Sequence, residues 1–171
     1  MSEEKWLRDV VLPELGEVDQ RDDWAEWLHQ LYVARGAVDR EELRRLASEA
    51  QRQAAETASQ LVVADVARTS GQAVAVGPLV REHSMRIACD GELSNDDSGG
   101  FFAIGALEAA CEVADTVQDI LQERWWKVWP SCSQHDSGMH VDLIGDEAVW
   151  LCRRGRHYTP IGELAEEFGS P

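Results

Sequence analysis

The sequence predicts an α+β fold, with a mostly helical body followed by a small C-terminal β-hairpin module. Three observations predict it. Apolar residues recur at the helical period through much of the first 127 residues. Two alternating apolar segments then flank Gly145-Asp146, a pair typical of two-residue hairpin turns. A cysteine and a histidine stand on each side of that hairpin, Cys132 with His135 before it and Cys152 with His157 after it. The expected division is therefore a helical domain over 1–127, with one or two short strands, and a hairpin module over 128–171.

The helical elements follow in order. Ser2 can cap a short first helix carrying Glu3 and Glu4 in its first turn, with Pro13 expected to stop it. In "DDWAEWLHQLYVARG", Trp24, Trp27, Leu28 and Leu31 keep the 3.6-residue period; Asp22 or Asp23 would cap, and Gly36 would close. Asp39 and Glu42 form a capping box for a long third helix. One face of it carries Leu43, Leu46, Ala47, Ala50, Ala54 and Ala58. From Val62 onward β-branched residues crowd in, and helix and strand are both open there.

"AVAVGP" and "SMRIAC" read as short strands, and "SNDDSGG" as a polar loop. The next helix is expected from Phe101 to Trp126, with Ile104, Leu107, Ala110, Cys111, Ala114, Val117 and Leu121 inward. Trp125 and Trp129, four apart, would pack its end against the hairpin. Thr159 as cap, Pro160 at the first position and Gly169 as stop predict a short terminal helix.

Bulk properties narrow the function classes. A net charge of −16 repels phosphate backbones and favours a basic protein partner, if any. The acidic N-terminus has no apolar run, and the longest such stretch, "AVAVGPLV", is far short of the roughly 20 residues that span a bilayer. The expectation is a cytoplasmic protein with no membrane or nucleic-acid partner. Its four cysteines (Cys89, Cys111, Cys132, Cys152) are then buried apolar residues or metal ligands, not disulfides.

Cys132, His135, Cys152 and His157 have the composition of a zinc site, in which four Cys or His ligands surround the ion. The 16 residues from Asp136 to Leu151 suffice for one hairpin, as in zinc ribbons. A two-residue turn puts Val141, Leu143, Trp150 and Cys152 on one face and His140 on the other. Cys152 should therefore share a metal with His135, while His140 becomes the substitute if the turn is longer. The competing structural reading keeps Cys152 as an apolar residue after "AVWL" and His157 as a solvated one among arginines.

The stretch from Trp129 to Leu164 resembles the tail of a group of actinobacterial proteins of unknown function. Their pattern is W-P-x-C-x-x-H, then W-x-C, then I-G-E-L, and this chain has "WPSCSQH", "WLC" and "IGEL". Ser133 stands where the group usually has proline. The resemblance covers about a fifth of the chain, implies Cys132, His135 and Cys152 as a set, and carries no activity with it.

Other motifs are weaker. Glu26 and His29 form a single E-x-x-H, whereas a di-iron bundle needs two. His135, Asp136 and Ser137 are adjacent, and a catalytic triad is a spatial arrangement, not a run. The expected function is a non-catalytic interaction or regulatory protein with a structural zinc site. The first alternative is a zinc-dependent enzyme with an open coordination position in place of His157.

The second alternative is a helix-turn-helix regulator reading DNA with the helix that begins at Asp39. From Asp39 to Glu49, three arginines face four carboxylates, leaving no positive potential to hold a duplex. No appreciable duplex binding is expected even at low salt, where attraction is least screened. An anisotropy titration showing tight, salt-sensitive binding that Arg44→Glu abolishes would favour the regulator instead.

Overall fold

The computed structural model describes residues 1–16, 21–82, 84–94 and 100–165. The fold is α+β. Its helices are α1 (Glu3–Trp6), α2 (Leu12–Leu15), α3 (Asp22–Arg35), α4 (Arg40–Ser70) and α5 (Ala106–Trp125). Its strands are β1 (Val76–Arg81), β2 (Ser84–Cys89), β3 (Ser131–Cys132), β4 (Ser137–Gly138), β5 (His140–Ile144), β6 (Glu147–Cys152) and β7 (His157–Pro160). Among the described residues no helix is long and apolar enough to cross a membrane.

Pro13 does not stop the first helix. A π-helical turn over Leu7–Val11 links α1 to α2, and helical geometry continues to Leu15. The wider turn accommodates a ring that would clash in a regular α-helix. The carbonyl of Asp9, four residues before the proline, accepts instead from the Arg40 guanidinium at 3.2 Å. Trp6 anchors this segment: it is fully buried and donates its indole N–H to the Val38 carbonyl at 2.9 Å.

Asp22 and Asp23 do not cap α3, because Arg21 occupies the cap position. Asp23 turns its carboxylate to the segment that leads into α5, accepting from the amides of Ile104 (2.9 Å) and Gly105 (3.2 Å). Glu112 accepts from the amides of Phe102 and Ala103 in the same way. The Phe101 N–H goes to the Met85 carbonyl at 2.6 Å, and those of Phe102–Gly105 are held by side chains. This segment therefore stays out of the helix, and α5 starts five residues later than its apolar period predicts. Ala110, Ala114, Val117 and Leu121 are inward as expected, whereas Ile104, Leu107 and Cys111 are only half-buried.

Asp39 caps α4 by accepting from the Glu42 amide at 2.9 Å. The helix then runs through the β-branched stretch to Ser70 and ends at Gly71, whose φ of +66° is open to glycine at little cost. Packing decides the question that propensity left open, because Val62 and Val66 are fully buried in the core shared with α5. The polar loop at 95–99 lies outside the described residues.

The strands form small antiparallel sheets. Between α4 and α5, β1 pairs with β2; beyond α5, β3 pairs with β4, and β5, β6 and β7 form a sheet in that order. Ile144 pairs with Glu147 across the two-residue turn at Gly145 and Asp146, which sets the predicted parity. Trp125 and Trp129 do pack edge to face, with centroids 6.4 Å apart. They do not share a helix face, because α5 ends at Trp125 and Trp126 adopts a left-handed conformation.

The predicted terminal helix does not start at Pro160. Thr159 and Pro160 belong to β7, and Ile161 and Gly162 form a turn; residues 166–171 lie outside the described ones. The amides that would open that helix are engaged by Asp65 of α4. This fully buried carboxylate accepts from Gly162 N–H (2.7 Å), Leu164 N–H (2.9 Å) and the Trp150 indole N–H (2.8 Å). Arg68 adds a fourth donor at 3.2 Å. Burial pushes the Asp65 carboxyl above its ordinary value, against the pull of the Gly162, Trp150 and Leu164 donors.

Removing one partner from such a buried set leaves the rest unpaired. Asp65→Ala should therefore destabilise the fold by about 3–5 kcal/mol. Trp150→Ala should cost a similar ~3–5 kcal/mol as a large core truncation, and Trp150→Phe only about 1 kcal/mol. Chemical denaturation of the three variants checks the order. Equal, small effects for Asp65→Ala and Trp150→Phe would show that the carboxylate does not organise this region.

Candidate metal centre

Two turns of like construction bring the Cys/His residues together. In the first, Cys132 pairs with Ser137 across Ser133–Asp136. In the second, Cys152 pairs with His157 across Arg153–Arg156. Each turn places a left-handed residue four positions after its cysteine, Asp136 at φ +43° and Arg156 at φ +53°. Each also closes with a hydrogen bond onto the cysteine carbonyl, from His135 N–H at 3.3 Å and from Arg156 N–H at 2.8 Å. The second ligand candidate sits three residues after the cysteine in one turn and five after it in the other.

The first turn is held to the helices by Gln118 of α5. Its buried amide donates to the carbonyls of Trp129 (2.9 Å) and Met139 (2.8 Å), on either side of β3 and β4. The second turn extends from β6 and β7, whose core-facing Trp150 stacks edge to face on Trp129 with centroids 5.3 Å apart. The Trp129 indole N–H in turn reaches Thr69 of α4 at 2.9 Å. Both turns thus stand on one rigid base.

The ligand atoms of Cys132, His135, Cys152 and His157 all lie within 4.8 Å of one another, so the four could hold a metal ion. Cys132 Sγ is 3.3 Å from His135 Nδ1 and 3.3 Å from His157 Nε2, and Cys152 Sγ is 3.7 Å from His135 Nδ1. A tetrahedral ion with bonds of about 2.0–2.3 Å separates its ligands by about 3.3–3.8 Å. These three separations fall in that range, and the donor chemistry suits such an ion. Both sulfurs are buried, and both rings are half-buried.

The surroundings favour a thiolate at Cys152. Burial pushes its thiol up, but hydrogen bonds with the Gly155 amide (3.4 Å), the Ser137 hydroxyl (3.6 Å), Cys132 and the Arg154 backbone together hold the group below its ordinary value. Arg154 donates to the His135 carbonyl at 3.0 Å and ties the two turns together. The remaining cysteines stand apart. Cys89 is buried beside Arg124, and Cys111 is half-buried on α5, its thiol pushed up to about 11 by burial and by Glu108 and Asp142.

His140 is exposed on β5 opposite Leu151, on the face away from Cys152. The E-x-x-H pair is a surface arrangement, with His29 bonded to Glu3 at 2.9 Å and Glu26 to Gln30 at 3.0 Å. Sequence reasoning missed β7, which aligns His157 opposite Cys152, and it missed Gly155. No family model matches the chain, and no curated protein or solved structure matches it either.

Gly155 packs directly beneath both rings. A Cβ there would meet His135 Cε1, and it would lie 2.5 Å from His157 Cδ2 and 2.6 Å from His135 Nδ1. Gly155→Ala should therefore push the imidazoles apart and weaken metal binding by about 10-fold or more. Gly145→Ala has open space and should leave metal affinity unchanged, adding only backbone strain at φ +60°. Chelator competition on both variants checks this; equal affinities would show that the rings do not bind metal together.

Proposed function

We propose that this chain is a non-catalytic interaction or regulatory protein whose C-terminal sheets are held by one structural zinc ion. Cys132, His135, Cys152 and His157 would be its ligands. The observation that carries this reading is the closure of the donor set: four ligand atoms, two from each turn, within 4.8 Å. A catalytic zinc keeps one position for water or substrate, and a fourth protein ligand fills it. When bound, the ion would supply a cross-link between two turns, offsetting the negative charge of two thiolates. The pattern shared with the actinobacterial group covers three of these residues, and we extend the set to His157.

The arginines of α4 support a reading without DNA. Arg44 pairs with Glu14, Arg45 approaches Glu42 at 4.0 Å, and Arg40 bonds the Asp9 carbonyl. Guanidiniums matched by the protein's own acceptors have less to offer a phosphate backbone.

Protein purified under reducing conditions should carry about one zinc per chain. Cys132→Ser and Cys152→Ser should lose the metal and lower the melting temperature, because metal-binding energy is folding energy at such a site. His140→Ala should change neither. Elemental analysis with thermal unfolding decides the matter: metal-free wild-type protein, with both serine variants equally stable, sinks the reading.

A further inference from the structure

Helices α3 and α4 and the start of α5 line two cavities, of about 340 and 370 Å³. Trp27, Ile104 and Ala106 line both and form a common wall. No residue of the Cys/His cluster takes part. The two halves differ sharply in chemistry. One is floored by Ala50, Ala54 and Ala58 of α4, rimmed by Gln53 and Thr57, and ends at Leu61, which is 40% exposed. These positions follow one stripe of the helix over about 16 Å. The other half is edged by Asp22, Glu26 and Glu108.

Those three carboxylates enter no ion pair among the described residues. Arg21, the adjacent base, is held by Asp23 at 3.4 Å and Glu112 at 2.8 Å. The groove therefore joins an apolar floor, kept deep by alanines, to an unneutralised acidic edge. We propose that it docks a basic amphipathic segment of a partner protein. Leucine- or phenylalanine-sized side chains would seat on the alanine floor, and lysines or arginines would face Asp22, Glu26 and Glu108. This rests on the interaction-protein reading above and gives the partner its chemistry.

Charge complementarity selects that occupant over the others. A net charge of −16 steers a cationic segment toward the groove and speeds its encounter. A second copy of the chain brings the same −16 and is repelled. A nucleic acid or an anionic membrane would meet the same repulsion.

The test is an anisotropy titration of the full chain at 150 mM salt with a labelled 18-residue amphipathic leucine/lysine helix. A scrambled peptide of the same composition, lacking an apolar face, is the control. The amphipathic peptide should bind at least 10-fold tighter than the scrambled one. Glu26→Lys and Ala54→Gln should each lower that affinity about 10-fold. Glu147→Lys, the same charge change on the β5–β6 hairpin, should alter it less than 2-fold. Should Ala54→Gln disturb the circular dichroism spectrum, Leu61→Gln reads the same floor from an exposed position.

Equal binding of the two peptides, or equal losses in Glu26→Lys and Glu147→Lys, would overturn the proposal in favour of net charge alone. Self-association in sedimentation velocity that Glu26→Lys and Ala54→Gln abolish would overturn it too, giving the groove to a second copy. Metal content is measured on every variant and should not change. A groove that fails this test leaves the zinc reading standing, and a chain without zinc leaves the groove result standing.

Discussion

Asp65 lies in the last two turns of α4 with no exposed surface, and the four groups within hydrogen-bonding distance of its oxygens are all donors. Three of the four come from residues 150–164, so one carboxylate fixes the C-terminal sheet against the helices. Trp150 must point its indole inward to reach it, and that orients β6 with Cys152 two residues further on. Trp129 then packs on Trp150 and reaches Thr69, one helical turn beyond Asp65. The Cys/His cluster inherits its position from this arrangement. A buried carboxylate is costly to desolvate, and here hydrogen bonds from four donors offset part of that cost and favour one docking geometry.

The two ligand-bearing turns show how one backbone solution serves different letters. Both span four residues between paired positions, and both use a left-handed residue just before the chain returns. Where the first turn has His135, the second has Gly155, which leaves room for two rings. Where the second has His157, the first has Ser137, whose hydroxyl approaches Cys152 instead. Similar turns thus alternate ligand and supporting group, and the donors converge from opposite sides.

Much of this was legible in the letters, and what was legible is local. The Asp39 cap, the Gly36 stop and the Gly145-Asp146 turn are short-range chemistry, set within a few residues. Spacing nominates Cys132, His135, Cys152 and His157, and the parity of that one turn favours His135 over His140, while the fourth ligand stays open between His157 and His140. What the sequence could not show is carried by distant partners. Asp23 reads as a cap for its own helix, yet its acceptors serve amides 81 and 82 residues away. Thr159-Pro160 reads as a helix start because the competing pull of β6 and Asp65 leaves no local trace. Pro13 reads as a stop because a π-helical turn has no sequence signature strong enough to announce it.

The separations around Asp65 also have a kinetic meaning. Its partners lie 85, 97 and 99 residues further along the chain. Contacts that distant close late, after the entropy of a long loop has been overcome. On a ribosome the end of α4 emerges with its carboxylate still hydrated, well before Trp150 and Gly162 exist to receive it. Docking of α4 onto its final partners is thereby coupled to completion of the C-terminal sheets. A chain truncated before Trp150 would keep its helix caps and lose the contact that locks them into one body.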